Sequence, residues 1–569
     1  MNTASRSENT ARNIGVGAVR QVLTLLLAFA VRTVFVRRLG ADYTGVNGLY
    51  SNILAMLSLA ELGVGNVLVY SLYAPLHRGD AGEIQHLLGY YRRIYRLIAL
   101  AVALLGAAVI PFLPLIISSE LPMAQLTIYY VLYLANSVAS YLVIYKTTLI
   151  QADQKAYLQN MVSAAALVLQ YAAQIACLLI WGSYLGYLLI QIACTLLQNA
   201  VLSHLADKMY PFLRKKQKHE PMHRKQELND NIRSMFLYKL ATILINNTDN
   251  ILISVMLGTV FVGYYSNYAS LTTYVTTFVS IVITGISASL GNLNAEKNSE
   301  KSYTMFRNLI VLFGAITGFC VAAYGAVVQD FIPIWVGEEY LMDTGTVAAV
   351  LFTFYLSTIV APVWMYRETL GLFRQMKYVM FMTALVNILL SILLGHFFGV
   401  AGIIGATGLA RLCTIFWYEP KVLFHRTFRR SAAAYFKVQG GLLLLNGAVM
   451  LLSLLLCARM GHTLMWIILK GITCAAVTAL LYTLALGRTA EYHWMLEKGR
   501  SFLRKWRKKA CSIRKCSTAA KLCVSTLPSQ QRIREISSSE TPVSMCCTTA
   551  FLCSCPSPCR FGTGCRKCR

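Results

Sequence analysis

Charge is scarce in this sequence, and acidic charge is the scarcest. Only 13% of the 569 residues are charged, and 24 Asp and Glu residues stand against 52 Lys and Arg residues. In an average soluble domain about 25% of the residues are charged. A soluble chain of this length would form about three or four domains, and there is too little charge here to cover their surfaces. The shortage excludes an ordinary soluble enzyme.

Apolar residues take the place of the missing charge. They make up 56% of the sequence, and the mean hydropathy is +0.55. The net charge of +28 would by itself suggest nucleic-acid binding. In so apolar a chain, however, basic residues are expected to flank membrane spans. The sequence therefore predicts membrane lipids, and no nucleic acid, as partners.

Apolar runs recur along the chain at the length that a bilayer requires, which is about 20 residues per helix. They predict about fourteen transmembrane helices. Lys and Arg concentrate in alternate connections: residues 207–233, between the sixth and seventh helices, hold eight of them, whereas the connections of the other set hold only Arg37, Arg38 and Arg459. Because basic loops remain on the cytoplasmic side, both termini are predicted to be cytoplasmic.

Two sequence patterns recur six helices apart. The pattern Y-[KR]-x-T-L-x4-Q-x2-Y begins at Tyr145 and again at Tyr366, an offset of 221 residues. Leu-Gly followed five residues later by Gly begins at Leu39 and again at Leu257, an offset of 218 residues. An even number of helices preserves the direction through the bilayer, so the halves are predicted to be parallel repeats related by an axis along the membrane normal.

Together these patterns predict an all-α polytopic membrane protein, with two parallel six-helix repeats and two C-terminal helices in addition. The predicted parts are an N-terminal six-helix lobe (1–205), a basic cytoplasmic linker (206–234), a C-terminal six-helix lobe (235–430), two additional transmembrane helices (431–490) and a basic, Cys-rich, disordered cytoplasmic tail (491–569). Two lobes that face each other across a central cavity form the plan of a transporter.

Seven ionisable residues fall within predicted spans, where charge is costly and usually faces a cavity or a pathway. The candidate substrate-binding residues are the four cations Arg20, Arg32, Lys239 and Arg411, since a positive cavity favours an anionic substrate such as a pyrophosphate headgroup. A fifth cation, Lys470, belongs to the additional helices and is expected to make a packing or lipid contact. The two acids are Glu61 and Asp249.

Each of these residues also has a structural explanation. Arg20, Arg32 and Lys239 lie close enough to a membrane surface for their side chains to extend to it. Glu61 and Asp249 are candidates for ion coupling, because a carboxyl group in a low-dielectric site can exchange a proton near neutral pH or hold a sodium ion. They could equally pair with Arg32 or Lys239, and the sequence leaves both alternatives open.

The cysteines divide into two groups. Six of the 16 are dispersed among the spans, and the other ten follow residue 510. Cys565 and Cys568 have the spacing of a zinc-ligand pair, but no His accompanies the ten and their spacing follows no zinc module. Disulfides are not expected in a reducing cytoplasm. The sequence predicts neither a metal site nor a cofactor.

Two segments resemble a known family. Residues 35–76 read FVRRLGADYTGVNGLYSNILAMLSLAELGVGNVLVYSLYAPL, and residues 248–271 read TDNILISVMLGTVFVGYYSNYASL. Both are similar to segments of bacterial polysaccharide and oligosaccharide flippases, within the multidrug/oligosaccharidyl-lipid/polysaccharide (MOP) exporter superfamily. The resemblance spans about residues 10–490 and has no counterpart for the Cys-rich tail.

The resemblance implies two six-helix bundles, alternating access and a role in polysaccharide biosynthesis. It implies a polyprenyl-pyrophosphate-linked oligosaccharide as the substrate, moved from the inner to the outer leaflet of the bacterial cytoplasmic membrane. A proton or sodium gradient is the expected source of energy. The cationic cavity expected from the residues suits such a headgroup.

Two other functions compete with this interpretation. A multidrug or cation antiporter of the same superfamily would favour an acid-rich cavity, whereas cations outnumber acids among the intramembrane residues here. An enzyme acting on lipid-linked sugars would need a large outer loop with catalytic residues. The longest outer connection, about residues 329–344, contains neither His nor Arg. The sequence therefore predicts a transporter that is not an enzyme.

Overall fold

The computed structural model describes residues 6–57, 64–214, 225–296, 298–501 and 504. Within these residues the regular structure is helical throughout, and none of them lies in a β-strand. The chain divides into two units, Met1–Leu486 and Gly487–Arg569, and every helix discussed below belongs to the first. Glu61 and the ten cysteines that follow residue 510 lie outside the described residues.

In the described residues of the first half, 6–57 and 64–214, there are eight α-helices. They are α1 Arg6–Leu57, α2 Val64–Arg78, α3 Ala81–Val109, α4 Leu113–Ile116, α5 Met123–Tyr141, α6 Ile144–Ala152, α7 Ala156–Ile180 and α8 Tyr184–Met209.

In the described part of the chain between residues 225 and 486, nine α-helices follow the linker. They are α9 Lys225–Leu257, α10 Thr259–Ala295, α11 Ser299–Trp335, α12 Thr344–Ile359, α13 Ala361–Leu370, α14 Phe373–Cys413, α15 Ile415–Leu423, α16 Ala433–Cys457 and α17 Leu464–Leu486.

Many of these helices are long and apolar enough to cross a bilayer. Ten described helices meet that condition, or up to twelve if each of two bent pairs forms one span. Large apolar side chains face outward, with Phe397, Leu444 and Met465 being 69%, 78% and 80% exposed, as expected of surfaces solvated by lipid. The chain is therefore a multi-pass membrane protein. The predicted number of fourteen spans requires α1 and α14 to be divided at Gly40 and Gly399, where the backbone leaves the helical conformation, and it remains a prediction.

The repeated glycines occupy equivalent positions in the structure. Gly40 and Gly258 have φ angles of +83° and +113°, a region of the Ramachandran map that favours glycine over other residues. Five residues further on, Gly45 and Gly263 bring α1 and α10 together. A methyl group built on Gly45 would lie 2.0 Å from the carbonyl oxygen of Thr259, and one on Gly263 would lie 2.3 Å from that of Ala41. The two contacts are reciprocal, as expected of parallel repeats.

We expect Gly263→Ala to destabilise the protein, because the new methyl group meets rigid backbone of α1. Overpacking of this kind costs about 1–3 kcal/mol. Gly285→Ala on the same helix is the matched control, since a methyl group there meets nothing within 4 Å and alanine favours the helix. The measurement is the thermal unfolding midpoint of the detergent-extracted protein. A Gly263→Ala midpoint equal to that of the wild type would contradict this packing.

The pattern that begins at Tyr145 and again at Tyr366 lies where a membrane helix bends. The axes of α5 and α6 meet at a bend of 40°, and those of α12 and α13 at a bend of 42°. Pro362 stands in the first turn of α13, where proline breaks the preceding helix but fits the new one. The tyrosine and basic residue of the pattern thus lie on a short second arm in each half, near its start in α6 and past its middle in α13.

The basic residue of each pattern forms an ion pair within its own half. Lys146 Nζ lies 2.7 Å from a carboxylate oxygen of Asp207, at the end of α8. Arg367 Nη1 lies 2.6 Å from Glu419 Oε1 of α15, and these two side chains are only 7% and 2% exposed. These pairs connect α6 to α8 in the first half and α13 to α15 in the second half.

Buried apolar side chains fall into separate cores. One core contains buried residues between Phe35 and Tyr210, and another contains residues between Ile253 and Ile404 together with Val36. The division follows the two halves of the sequence. The predicted lobe boundaries are finer than this division and remain predictions.

The additional helices α16 and α17 pack against α11. Lys470 of α17 is buried and donates a hydrogen bond to Asp330, which sequence analysis had assigned to the outer connection. The α11 helix continues to Trp335, so Asp330 stays within it and meets the lysine. The packing role expected for Lys470 corresponds to this contact.

Candidate functional site

A cavity of about 770 Å³ lies in the second half of the protein. Helices α9, α10, α12, α13 and α14 contribute its walls, and many of the side chains that line it are polar. Two of the predicted site residues, Asp249 and Arg411, are among them. Pockets of about 300–1,000 Å³ are typical of small-molecule sites, so the volume is sufficient for a ligand.

Asp249 is held in the cavity by a neutral partner. The Thr407 hydroxyl lies 3.0 Å from each carboxylate oxygen of Asp249, which links α9 to α14. The Asn387 amide nitrogen in turn donates to the Thr407 oxygen at 2.8 Å. Asn387 is fully buried, and its side-chain oxygen has no hydrogen-bond donor among the described residues. A chain of hydrogen bonds thus leads from the half-buried carboxylate of Asp249 through Thr407 to the amide of Asn387.

Arg411 is also held by neutral partners. Its guanidinium donates to the Ser357 hydroxyl and, at 2.9 Å, to the Asn246 side-chain oxygen. These bonds connect α14 with α12 and α9. Within the described part of the chain no direct ion pair joins Arg411 to Asp249. The cavity therefore contains a cation and an anion that do not neutralise each other by contact.

The arginines of α1 occupy other places. Arg20 Nη1 donates to Asn160 Oδ1 of α7 at 2.7 Å. Arg32 donates to Ser266 Oγ at 2.5 Å and to Asn267 Oδ1 at 3.0 Å, which joins the two halves. Neither arginine lines the cavity described above. The structure thus does not bring all four candidate cations together.

Two predicted residues lie outside the described side chains. Lys239 belongs to α9, but its side chain is outside the part of the chain that the structure describes, and Glu61 is outside it entirely. Among the described side chains Asp249 forms no ion pair with Arg32, and the alternative pairing with Lys239 lies outside them. The described partner of Asp249 is Thr407.

Sequence reasoning did not identify Thr407, Ser357 and Asn387. Each is an isolated polar residue in an apolar run, and such residues often only donate to their own helix backbone. Thr407 is distinguished by the side chain it meets, which lies 158 residues away. The three-residue spacing of Asn246 and Asp249, close to one helical turn, was the available signal that this part of α9 has a polar face.

The likeness of this chain to known proteins lies in its fold and not in its sequence. No protein-family model matches the sequence, and no curated protein matches it. One similar solved structure is described as "Lipid II flippase MurJ, inward closed conformation". It is 11% identical, with a TM-score of 0.61, and the match covers 82% of this chain and 98% of that one.

A second similar structure is an inward-facing multidrug resistance MATE family transporter of the MOP superfamily. It is 14% identical, with a TM-score of 0.54, and the match covers 70% of this chain and 93% of that one. At these identities the likeness establishes the fold alone. The chain therefore has the multi-helix membrane fold that these two transporters share.

Proposed function

We propose that this protein flips a polyprenyl-pyrophosphate-linked oligosaccharide across the bacterial cytoplasmic membrane by alternating access, for polysaccharide biosynthesis and export. The observation that carries the proposal is the cavity in which Arg411 and Asp249 bond to neutral partners and, among the described residues, form no ion pair with each other. Burying charges without pairing them costs free energy. A ligand that supplies an anion to Arg411, together with a cation that binds Asp249, would recover that free energy.

In this proposal Arg411 binds the pyrophosphate. Its guanidinium has donors beyond those used by Ser357 and Asn246, and a guanidinium matches phosphate oxygens in geometry and charge. Arg20, Arg32 and Lys239 attract the headgroup at other stages of its passage. Arg32 suits that role because it bonds across the two halves, where a rocking motion would make and break contacts.

Asp249 holds the coupling cation, a proton or a sodium ion. Oxygen ligands are those that hard cations prefer, and the unsatisfied oxygen of Asn387 lies one hydrogen bond beyond Thr407. Glu61 remains a second candidate for this role. Binding of the cation would neutralise Asp249 and change the balance of charge around Arg411.

A multidrug or cation antiporter is the second candidate function. The buried carboxylate of Asp249 favours it, because an acid in a cavity can bind a cationic drug. Arg411 opposes it, since the guanidinium lines the same cavity and repels such a ligand. The two candidates therefore differ in what removal of Arg411 should do.

Complementation tests the proposal. The full-length protein is expected to restore surface glycan in bacteria that lack a polysaccharide flippase. Arg411→Gln, which retains hydrogen-bond donors for Ser357 and Asn246, should lower the restored glycan at least tenfold. Arg459→Gln is the control, because this arginine is exposed in the turn after α16. Absence of glycan with well-expressed protein, together with resistance to cationic drugs, would favour the antiporter instead.

A further inference from the structure

One face of α10 is formed by hydroxyl groups. Seven Ser and Thr side chains each donate to a backbone carbonyl three or four residues earlier, at 2.8–2.9 Å. At about 100° per residue they share an arc of about 140°, and the first five line the cavity. This hydroxyl face consists of Thr272, Thr273, Thr276, Thr277, Ser280, Thr284 and Ser287.

The hydroxyl face offers acceptors rather than donors. A hydroxyl group has one hydrogen and two lone pairs, and each hydrogen here is already given to the helix backbone. No charged residue occurs in Thr259–Ala295. Phosphate oxygens would meet only acceptors along this face, and a cationic drug would find no countercharge on it. The ligand chemistry that fits is neutral and rich in donors, as the hydroxyl groups of a carbohydrate are.

The fold itself does not require these hydroxyl groups. With the offset of 218 residues, the first five positions correspond to Leu54, Ala55, Ser58, Leu59 and Leu62 in the first half, four of which are apolar. An element needed only for packing would be expected to show the same character in both repeats. The hydroxyl face belongs to the half that contains the described cavity.

A second wall of the cavity adds an aromatic surface. Trp364 of α13 lines the cavity, and the Arg367 guanidinium lies 5.8 Å from the centre of its ring. An indole is a large amphipathic surface with an apolar body, against which the apolar face of a sugar ring can pack. Arg411, which also lines the cavity, provides the anion site.

We propose that the hydroxyl face of α10 binds the carbohydrate part of the substrate and makes the transporter selective for glycosylated lipid carriers. This assignment rests on the proposed function and adds the specificity-determining surface to it. Arg411 then holds the charged end of the headgroup, while the acceptor lone pairs of Thr276 and Thr277 face the sugar hydroxyls.

The test is the double variant Thr276→Val and Thr277→Val. Valine keeps the shape of threonine and removes only the hydroxyl groups, whose bonds are made within α10. Full-length protein in vesicles is supplied with polyprenyl pyrophosphate carrying an oligosaccharide or carrying no sugar. We expect KM for the glycosylated carrier to rise at least tenfold and transport of the sugar-free carrier to remain unchanged.

Thr483→Val is the matched control, because this hydroxyl group on α17 also donates to the backbone of its own helix, at 2.6 Å, and lies outside the cavity. This control variant should change the transport of neither carrier. An equal effect of the double variant on both carriers, or no effect on either, would overturn the assignment while the proposed function stands. Wild-type protein that moves neither carrier would overturn the proposed function and the assignment with it.

Discussion

Asp249→Asn is expected to abolish coupled transport while leaving the protein as stable as the wild type or more so. Asparagine keeps an oxygen for the Thr407 hydroxyl and removes a half-buried charge that has no ion-pair partner among the described residues, so the folded state loses little. Transport loses the carboxylate that is proposed to carry the cation. We expect transport driven by an imposed proton or sodium gradient to fall at least tenfold.

Two measurements separate this prediction from a structural effect. The thermal unfolding midpoint should not fall, and transport should no longer respond to the ion gradient. Glu296→Gln is the control, because this exposed carboxylate pairs with the exposed Lys301 at 3.4 Å. Gradient-driven transport at the wild-type rate by Asp249→Asn would remove Asp249 from the coupling site and leave Glu61 as the candidate.

Glu419→Gln is expected to cause the largest loss of stability. It removes the carboxylate that faces the Arg367 guanidinium at 2.6 Å, where both side chains are nearly inaccessible. Breaking a buried ion pair from one side costs about 3–5 kcal/mol, because the other charge remains buried. The thermal unfolding midpoint should fall accordingly, and the protein should leave the membrane fraction at lower temperature.

A graded series distinguishes this charge effect from a packing effect. Asp207→Asn breaks the more exposed equivalent pair with Lys146 and should cost less than Glu419→Gln. Replacing Arg367 and Glu419 together by leucine should recover much of the loss, since apolar side chains can substitute for a buried pair. If the double variant is less stable than Glu419→Gln, the pair stabilises the fold through more than its charges.

The sequence was sufficient for the helical fold because a bilayer restricts what a chain can do. Apolar runs must form helices that satisfy their own backbone, and the repeated glycines appear where two backbones approach closely. Gly45 and Gly263 were recognised as equivalent from spacing alone, and the structure places them in reciprocal contact. Periodicity could not predict the bend between α5 and α6, which has no proline.

The site was only partly predictable for a physical reason. A charge in an apolar run must find a partner or a cavity, so Asp249 and Arg411 could be selected from the sequence. The identity of the partner depends on how helices pack, and Thr407 and Ser357 carry no charge to mark them. Arg367 and Glu419 were not selected from the sequence because they lie near predicted helix ends, where water can solvate a charge. Packing of α13 against α15 buries them instead.

The activity that we propose for this protein is the movement of a glycosylated lipid carrier across a membrane. The most direct measurement uses purified full-length protein in vesicles that contain a polyprenyl-pyrophosphate-linked oligosaccharide, and follows its exposure at the far leaflet with a sugar-modifying enzyme. We expect the oligosaccharide to be exposed faster than in protein-free vesicles, and a proton or sodium gradient should accelerate its exposure. The proposed activity would be contradicted if the oligosaccharide is exposed no faster than in protein-free vesicles while the same protein accumulates a cationic drug in those vesicles.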